Sequence, residues 1–493
     1  MTSTPPLTSV ALFGTDPAAT PIQGPPGPAQ SSPAPQLRTL IRGAAPTPQA
    51  LDWSLVVGMR RRAATEIAER TEQAEAHQPL GATDRRLLGK SVVRSVVRGQ
   101  AEQLADSGTE VWSPQTEAAY ARALEDAIYG YGRLQPLFEI PEAENIEIHG
   151  YDSVLVQYAD GTRRTHPPVA DSDAELVDAI RFLGEQASPA RPFDDAHPTM
   201  TLALGDRFRL HAIGFGLSWR PSITIRQHTR TEITLPDLVR SAMMPERVGR
   251  LLHAAVLARK SMVISGDQGA GKTTLLRALI AAIPDHERFG TLETDYELLT
   301  HLQPNRRNIV ALQAKTGLGE RVDGRPLGEY SVADLIPEAL RQNLSRLIVG
   351  EVRGAEAGAM FEAMSSGAGT ISTTHSHSAV STMDRLASRV AQGGVLSVEE
   401  AYRQIAHNIS LFIHVTLIDD TWRGGPRRRF VAEVRRVTGA IEGGRPSTHL
   451  VYAAEPGPHQ PAGFFPEADL LAELAPFADA WDQQARRSRQ APR

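Results

Sequence analysis

The chain has 493 residues, more than one ordinary hydrophobic core accommodates, so two or three domains are expected. Its formal net charge of -5 excludes the broad positive field of a nucleic-acid binder. With no cysteine, it has neither a disulfide framework nor a cysteine-ligated zinc or iron–sulfur site.

In chain order, residues 1–50 are rich in Pro, Ala, Thr, Ser and Gly ("PIQGPPGPAQSSPAPQ"). They have little to bury, and a disordered tail is expected. Over 51–112, "LDWSLVVGMRRRAATEIAER" and "LLGKSVVRSVVRGQAEQLA" repeat apolar residues at three- and four-residue spacing, which predicts a helical region with solvated charged faces. The texture then changes. "NIEIHGYDSVLVQYADGTRRT" alternates and reads as a hairpin with a second turn at Asp160-Gly161. "ELVDAIRFLGEQA" predicts a helix, and "TMTLALGDRFRLHAI" and "PSITIRQH" return to strand. Residues 113–230 are therefore expected to form an α/β N-terminal domain, and "TRTEITLPDL" is a candidate linker. Over 231–455, "SMVISG", "FGTLE", "RLIVGE", "GTISTTH", "LFIHVTLI" and "RRFVAEVRRVTG" predict strands. Helical patterns such as "TTLLRALIAAI", "SVADLIPEALRQNL" and "AEAGAMFEAMSSG" separate several of them. That alternation predicts a parallel sheet with helices on both faces. Residues 456–493 form a Pro-rich and finally basic tail with one helix, "EADLLAELAPFADAW". No apolar run reaches the roughly 18 residues of a spanning helix. The start of the chain shows no charged-then-apolar secretion pattern, so a cytoplasmic protein is expected.

"GDQGAGKT", residues 266–273, matches G-x-x-x-x-G-K-S/T between a predicted strand and a predicted helix. Gly266, Gly269 and Gly271 allow a tight turn that aims backbone N–H groups inward. The helix N-terminus adds partial positive charge for phosphates. Gly266, Asp267, Gln268, Gly269, Ala270, Gly271, Lys272, Thr273 and Thr274 would cradle a nucleotide. Lys272 would bridge its β- and γ-phosphates, and the Thr273 hydroxyl would hold Mg²⁺. A glycine-rich surface turn is the alternative reading.

Phosphoryl transfer also needs an acidic group near the metal and the attacking water, and cations for the developing charge. "RLIVGE" has the form of a buried strand, and ligands of parallel sheets sit outside the carboxyl ends of the strands. Glu351 is then a candidate to polarise water, directly or through the water shell of Mg²⁺. The alternative is an exposed loop residue.

"GDQGAGKTTLL", "RLIVGEVRGAEA" and "GTISTTHSHS", in that order, resemble the secretion-motor ATPases of the type II/type IV superfamily. Within it, the chain looks most like the tight-adherence (Flp) pilus assembly ATPases of the CpaF type. "YGYGRLQPLF", "NIEIHGYDSVLVQYADG", "LGDRFRLHAI" and "ITIRQ" extend the resemblance over roughly residues 110–440. It implies a homo-hexameric ring of subunits with an N-terminal sensing domain and a RecA-like P-loop (Walker A) ATPase domain, ATP and Mg²⁺ lying between them. The ring would stand at the inner face of the membrane, working on an inner-membrane platform protein; the charge balance, separately, predicts no nucleic-acid partner.

The same resemblance implies residue roles. Glu351 falls on the catalytic glutamate of an atypical Walker B motif with Gly350 in the usual aspartate place. Glu293 and Glu297 in "TLETDYEL" match an acidic segment that would hold Mg²⁺ waters, unless it is a solvated turn. His375 matches the last histidine of the family's His box and would sense the γ-phosphate or a neighbouring subunit, unless it is an inert loop residue. His375 and His377 are too few to make a zinc site. Arg207 and Arg226 match arginines through which the N-terminal domain approaches nucleotide. Arg341 and Arg353 are further candidates for charge compensation, or surface ion pairs.

The sequence departs from the family pattern at Asn343, Leu344 and Ser345, which replace an Arg-Pro-Asp run. It departs again at Thr294, although Asp295 follows, and at Gly367 in place of an earlier histidine. A slow or partner-dependent ATPase is consistent with these changes. Three alternatives stay open: a conjugative, effector-secretion or retraction motor; a nucleotide-gated scaffold with negligible turnover; and a P-loop kinase with a small acceptor.

Overall fold

Three helices open the described chain: α1 (Trp53–Glu75), α2 (Ala82–Asp106) and α3 (Pro114–Tyr129). Val56, Met59 and Ala63 make the buried stripe of α1, and Val92, Val93, Val96 and Val97 make that of α2. The i, i+3, i+4 spacing puts each set on one face. Ser113 caps α3 by accepting from Thr116 N at 3.1 Å, with Pro114 following where its missing N–H costs nothing. The structure is a computed structural model that describes residues 51–485, apart from residues 77, 188–189, 206, 229–231, 304–305, 316, 318–320, 323, 355, 366, 368, 456–461 and 483. The expected disordered tail over 1–50 and the basic C-terminal residues lie outside the described residues.

After the short α4 (Gln135–Phe138), six strands build one sheet. They are β1 (Ala143–His149), β2 (Val154–Tyr158), β3 (Arg163–His166), β4 (Thr199–Leu204), β5 (Phe208–Ile213) and β6 (Ser222–Gln227), in the order β3-β2-β1-β6-β5-β4. Every neighbouring pair is antiparallel. Alternate residues, Ile146 and Ile148, Val154 and Val156, Ile223 and Ile225, enter one core with Leu176, Ile180 and Leu183 of α5 (Asp173–Gln186). The period of two dictates this, because successive strand side chains point to opposite faces.

Part of the expected linker is helix. Thr234 forms a reciprocal capping box with Asp237 at the start of α6 (Leu235–Arg240). Thr-Leu-Pro-Asp is a helix start: cap, an early proline, then an acid at the third position.

After α7 (Glu246–Leu257) comes a nine-stranded sheet. Its elements in chain order are β7 (Met262–Gly266), α8 (Lys272–Ile280), β8 (Phe289–Glu293), β9 (Ile309–Gln313), α9 (Val332–Leu340), β12 (Arg346–Val349), α10 (Glu356–Ser365), β13 (Gly369–Thr374), α11 (Ala379–Gln392), α12 (Val398–Asn408), β14 (Leu411–Asp419), β15 (Arg427–Glu442), β16 (Arg445–Ala453), β17 (Gly463–Phe464) and α13 (Ala468–Leu474). Two-residue strands β10 (Arg321–Val322) and β11 (Arg325–Pro326) pair apart from it. The strand order is β17-β16-β15-β14-β7-β13-β12-β8-β9.

The run from β14 to β9 is parallel, as the alternation predicts. Met262 and Ile264 pack with α7 and α8 on one face, while Val263 packs with α10 and α11 on the other. This is the α/β arrangement of a RecA-like P-loop domain. The all-parallel expectation fails at one edge, where β15, β16 and β17 are antiparallel. The tight connection through Gly443 and Gly444, both at positive φ, can only reverse the chain, whereas a parallel neighbour needs a long crossover. Among the described residues, no helix is long and apolar enough to cross a membrane.

Candidate functional site

Because β7, β8, β12 and β13 are parallel and adjacent, their carboxyl ends share one edge of the sheet. That edge receives the loop after β7, Glu293, the Gly350-Glu351 pair and His375. Gly266 takes φ 152, Gly269 φ 74 and Gly271 φ 98, values an L side chain rarely adopts. At Gly266 a Cβ would also stand 2.2 Å from the Val415 carbonyl oxygen of β14. Gly271 is the N-cap of α8, so the loop delivers its last amides onto a helix N-terminus.

Lys272 is buried at the start of that helix. Its Nζ donates to the carbonyls of Gly266 at 3.0 Å and Asp267 at 2.9 Å. Burial pushes the ammonium down to about 8, with Glu351 opposing the shift. Lys272 Nζ also lies 3.2 Å from His375 Nδ1, and His375 Nε2 lies 3.1 Å from Glu351 Oε1. Burial, then Lys272, lowers the imidazole's affinity for a proton. A neutral ring with its hydrogen on Nε2 accepts from Lys272 at Nδ1 and turns its N–H side to Glu351. The Glu351 contact is a close polar approach with the hydrogen off line, because Oε1 makes no well-aligned hydrogen bond. Arg353 donates to Glu351 Oε2 at 2.5 Å. The strand-end charges Glu351 and Arg353 therefore pair with each other, and Glu351 also meets the loop after β13. Thr373 Oγ1 donates to the Gly350 carbonyl at 2.7 Å, and Thr374 Oγ1 to the Val352 carbonyl at 2.9 Å. These two bonds pin the turn that carries Glu351.

Glu293 closes β8. Its Oε1 accepts from the amides of Glu297 at 3.0 Å and Leu298 at 2.8 Å, and its Oε2 is buried without a partner. Burial pushes the carboxyl up to about 8, against the pull of the two amides. Near neutral pH, Glu293 is therefore an uncharged hub for the 293–298 turn. Gly350 is glycine for a local reason: a Cβ there would lie 3.0 Å from Glu293 Cγ. Glu297 stays charged. Although its burial opposes ionisation, Arg226, Arg209 and His228 together hold its carboxyl below the usual range. Arg209 donates to Glu297 and, at 2.7 Å, to Asp295, joining β5 of the six-stranded sheet to this turn.

Thr273, Glu293, Thr294, Asp295, Glu297, Glu351, Arg209 and Arg353 are among the residues lining a cleft of about 30 Å³. That is room for a water or two. Among the described residues, no three His, Asp or Glu side chains are grouped to hold a metal directly. The donor set instead suits a hydrated Mg²⁺, which keeps most of its waters and takes its remaining ligands from phosphate and one or two side chains. Beside Gly271 a second cleft, of about 650 Å³, is lined by Met243, Met244, Phe430 and Tyr452 among others.

The edge thus gathers Lys272, Thr273, Glu293, Glu297, Glu351, Arg353 and His375. Arg226 is half-buried, and its charge is felt at Lys272 and Glu297. Arg207 is exposed. Arg209, missed in the sequence, is the arginine of that strand that reaches the acidic turn. Arg207 precedes β5 and Arg209 lies within it, and the period of two, which gives both the same side, does not tell them apart. Arg341 pairs with Glu338 on the surface, 2.6 Å away, and His377 pairs with Asp267 at 3.1 Å. Ser345, one of the departures, donates from both N and Oγ to the Arg288 carbonyl, at 2.8 and 2.7 Å. It precedes β12, at the edge remote from Glu351. Gly367, at φ 78, likewise precedes β13, at the edge remote from His375.

The chain matches the Type II/IV secretion system protein family over residues 154–421. It is similar to a putative conjugal transfer protein of Mycobacterium tuberculosis, 30% identical over 336 residues that cover 66% of this chain and 90% of that protein. Protein VirB11 of Agrobacterium tumefaciens is 32% identical over 178 residues, which cover 35% of this chain and 49% of that one. The solved structure of the Legionella pneumophila ATPase DotB aligns with 65% of this chain and 80% of that one, at 22% identity and a TM-score of 0.42.

Proposed function

The chain belongs to the Type II/IV secretion system protein family, and we propose that it is an ATPase, hydrolysing ATP to ADP and phosphate to drive secretion or pilus assembly. The observation that carries the proposal is the chain of contacts Lys272–His375–Glu351, with steps of 3.2 and 3.1 Å, where the phosphate loop meets the end of β12. The amides of residues 266–274 would hold the triphosphate. Its γ-phosphate would compete with the two loop carbonyls for the Lys272 ammonium. Glu351 would orient the attacking water, His375 would register the γ-phosphate, and Arg353 would offset the developing charge. Thr273 Oγ1 and, through water, Glu351 would hold Mg²⁺, which neutralises phosphate charge when bound. Arg226, with Arg207 and the better-placed Arg209, would bring the six-stranded sheet to bear on the nucleotide. The nucleoside would lie in the cleft beside Met243 and Tyr452.

The finer reading is a homo-hexamer of the CpaF type that powers Flp pilus assembly through an inner-membrane platform protein, working peripherally at the cytoplasmic face and using no zinc. It divides the chain into an α/β sensing domain over 113–230 and an ATPase domain over 231–455. A conjugative motor is the second reading, favoured by the match to a putative conjugal transfer protein. Phosphate release from Mg-ATP by the purified chain, with no acceptor but water, tests the reaction. Release that depends on an added hydroxyl acceptor points to a kinase, and release at the rate of buffer alone contradicts the proposal.

A further inference from the structure

Glu144 has no direct place opposite a residue of β2. The register runs from Ala143 facing Tyr158 to Asn145 facing Gln157, so Glu144 is the extra residue of a bulge. A bulge re-aims its side chain, and here the carboxylate leaves the six-stranded sheet for the nine-stranded one. It meets two arginines that alternate along β15 and so share a face. Arg427 donates to Glu144 Oε2 at 2.7 Å. Arg429 donates to both carboxylate oxygens, at 2.7 and 2.9 Å. The three side chains are mostly covered, at 20% exposure for Glu144, 7% for Arg427 and 23% for Arg429.

Arg429 has a second partner. Its Nε donates to the carbonyl of Gly269 in the phosphate loop at 2.7 Å. A trans peptide is planar, so the C=O of residue 269 and the N–H of residue 270 point in opposite directions. With the carbonyl drawn outward to Arg429, the Ala270 amide faces the inside of the loop, where it donates to the Asp267 carbonyl at 3.3 Å. Gly269, at φ 74, does little itself to resist a flip of that peptide.

We infer that Glu144 is a positioning residue for the phosphate loop: it fixes Arg429, and Arg429 fixes the 269–270 peptide with its amide turned toward the phosphates. The six-stranded sheet thereby has a grip on nucleotide affinity that involves no residue touching the nucleotide. Moving β1 away from β15 would release that grip. This rests on the reading of residues 266–273 as a phosphate site.

Titration of the full chain with a fluorescent ADP analogue, alongside steady-state phosphate release, tests the inference. Glu144→Gln keeps the shape and removes the charge, and Arg429→Ala removes the brace. Each is expected to weaken ADP binding about tenfold and raise KM with kcat within about threefold, since a charge-assisted hydrogen bond to the loop is lost before chemistry begins. The double variant is expected to bind no worse than Arg429→Ala alone, because the two act in series. Arg429→Lys is expected to recover part of the loss through its single donor. An unchanged affinity in Glu144→Gln, or effects that add in the double variant, overturns the inference. So does tighter binding by Arg429→Ala. Lys272→Ala separates the two levels: if it abolishes binding while Glu144→Gln leaves affinity unchanged, only the inference fails. If Lys272→Ala binds like the wild type, the phosphate site itself is wrong.

Discussion

His375 Nε2 stands 3.1 Å from Glu351 Oε1, at the point where the loop after β13 crosses the end of β12. The ring's other nitrogen faces Lys272, so one neutral imidazole spans the group that would grip phosphate and the group that would orient water. His375→Ala is expected to lower kcat roughly 10- to 100-fold, with ADP affinity within about threefold of wild type. Steady-state phosphate release and an ADP titration together check the split.

Glu293 makes the stability of the fold depend on pH. Burial raises its carboxyl to about 8 in the fold against 4.5 for an ordinary glutamate, so between those values the native state binds more protons than the unfolded chain. Its contribution is full below pH 4.5 and lost as pH rises through about 8. Glu293→Gln keeps a neutral side chain of the same shape. It is expected to flatten the fall in thermal midpoint between pH 5 and 8.5, and to leave the variant the more stable protein at pH 8.5. A wild-type profile that is level over that range would contradict the assignment.

Gly350→Ala tests the packing under the site. The added Cβ would stand 3.0 Å from Glu293 Cγ, inside ordinary contact, and Glu293 is fixed by two amides. A loss of about 1–2 kcal/mol is expected, the usual scale of mild overpacking, measured by urea unfolding. No loss would mean that the 293–298 turn yields freely.

Arg209→Ala removes a cation shared by Asp295 and Glu297. Glu297 would keep Arg226 nearby but lose its hydrogen-bonded partner. A destabilisation of about 1–3 kcal/mol is expected once partial exposure is allowed for. Arg207→Ala, at an exposed position, is expected to change stability by less than about 0.5 kcal/mol. Comparing the two unfolding midpoints decides which arginine of β5 and its preceding turn engages the acidic turn.

Local chemistry makes much of this molecule readable in its sequence. The phosphate loop announces itself because phosphates demand glycines at left-handed φ and a lysine at a helix start. "RLIVGE" could be placed beside it because parallel sheets gather their strand ends at one edge. Contacts between segments distant in sequence were not readable. Glu144 and Arg429 are 285 positions apart, and neither residue is unusual where it stands. Gly350 fits a family motif in the sequence, while its steric cause, the Glu293 side chain, shows only once β8 and β12 are neighbours. The capping box at Thr234 and Asp237 was legible but hidden by the polar run around it. Strand β9 was missed because "IVALQ" lies at a sheet edge with no fully buried residue.

The central claim is that Lys272 and Glu351 serve one reaction in two different ways, and paired measurements on Lys272→Ala and Glu351→Gln test it most directly. With ADP binding and phosphate release measured on the same preparations, Lys272→Ala is expected to lose both. Glu351→Gln is expected to bind ADP within about threefold of wild type and to release phosphate at least about 100-fold more slowly. Turnover by Glu351→Gln equal to that of the wild type would contradict the account.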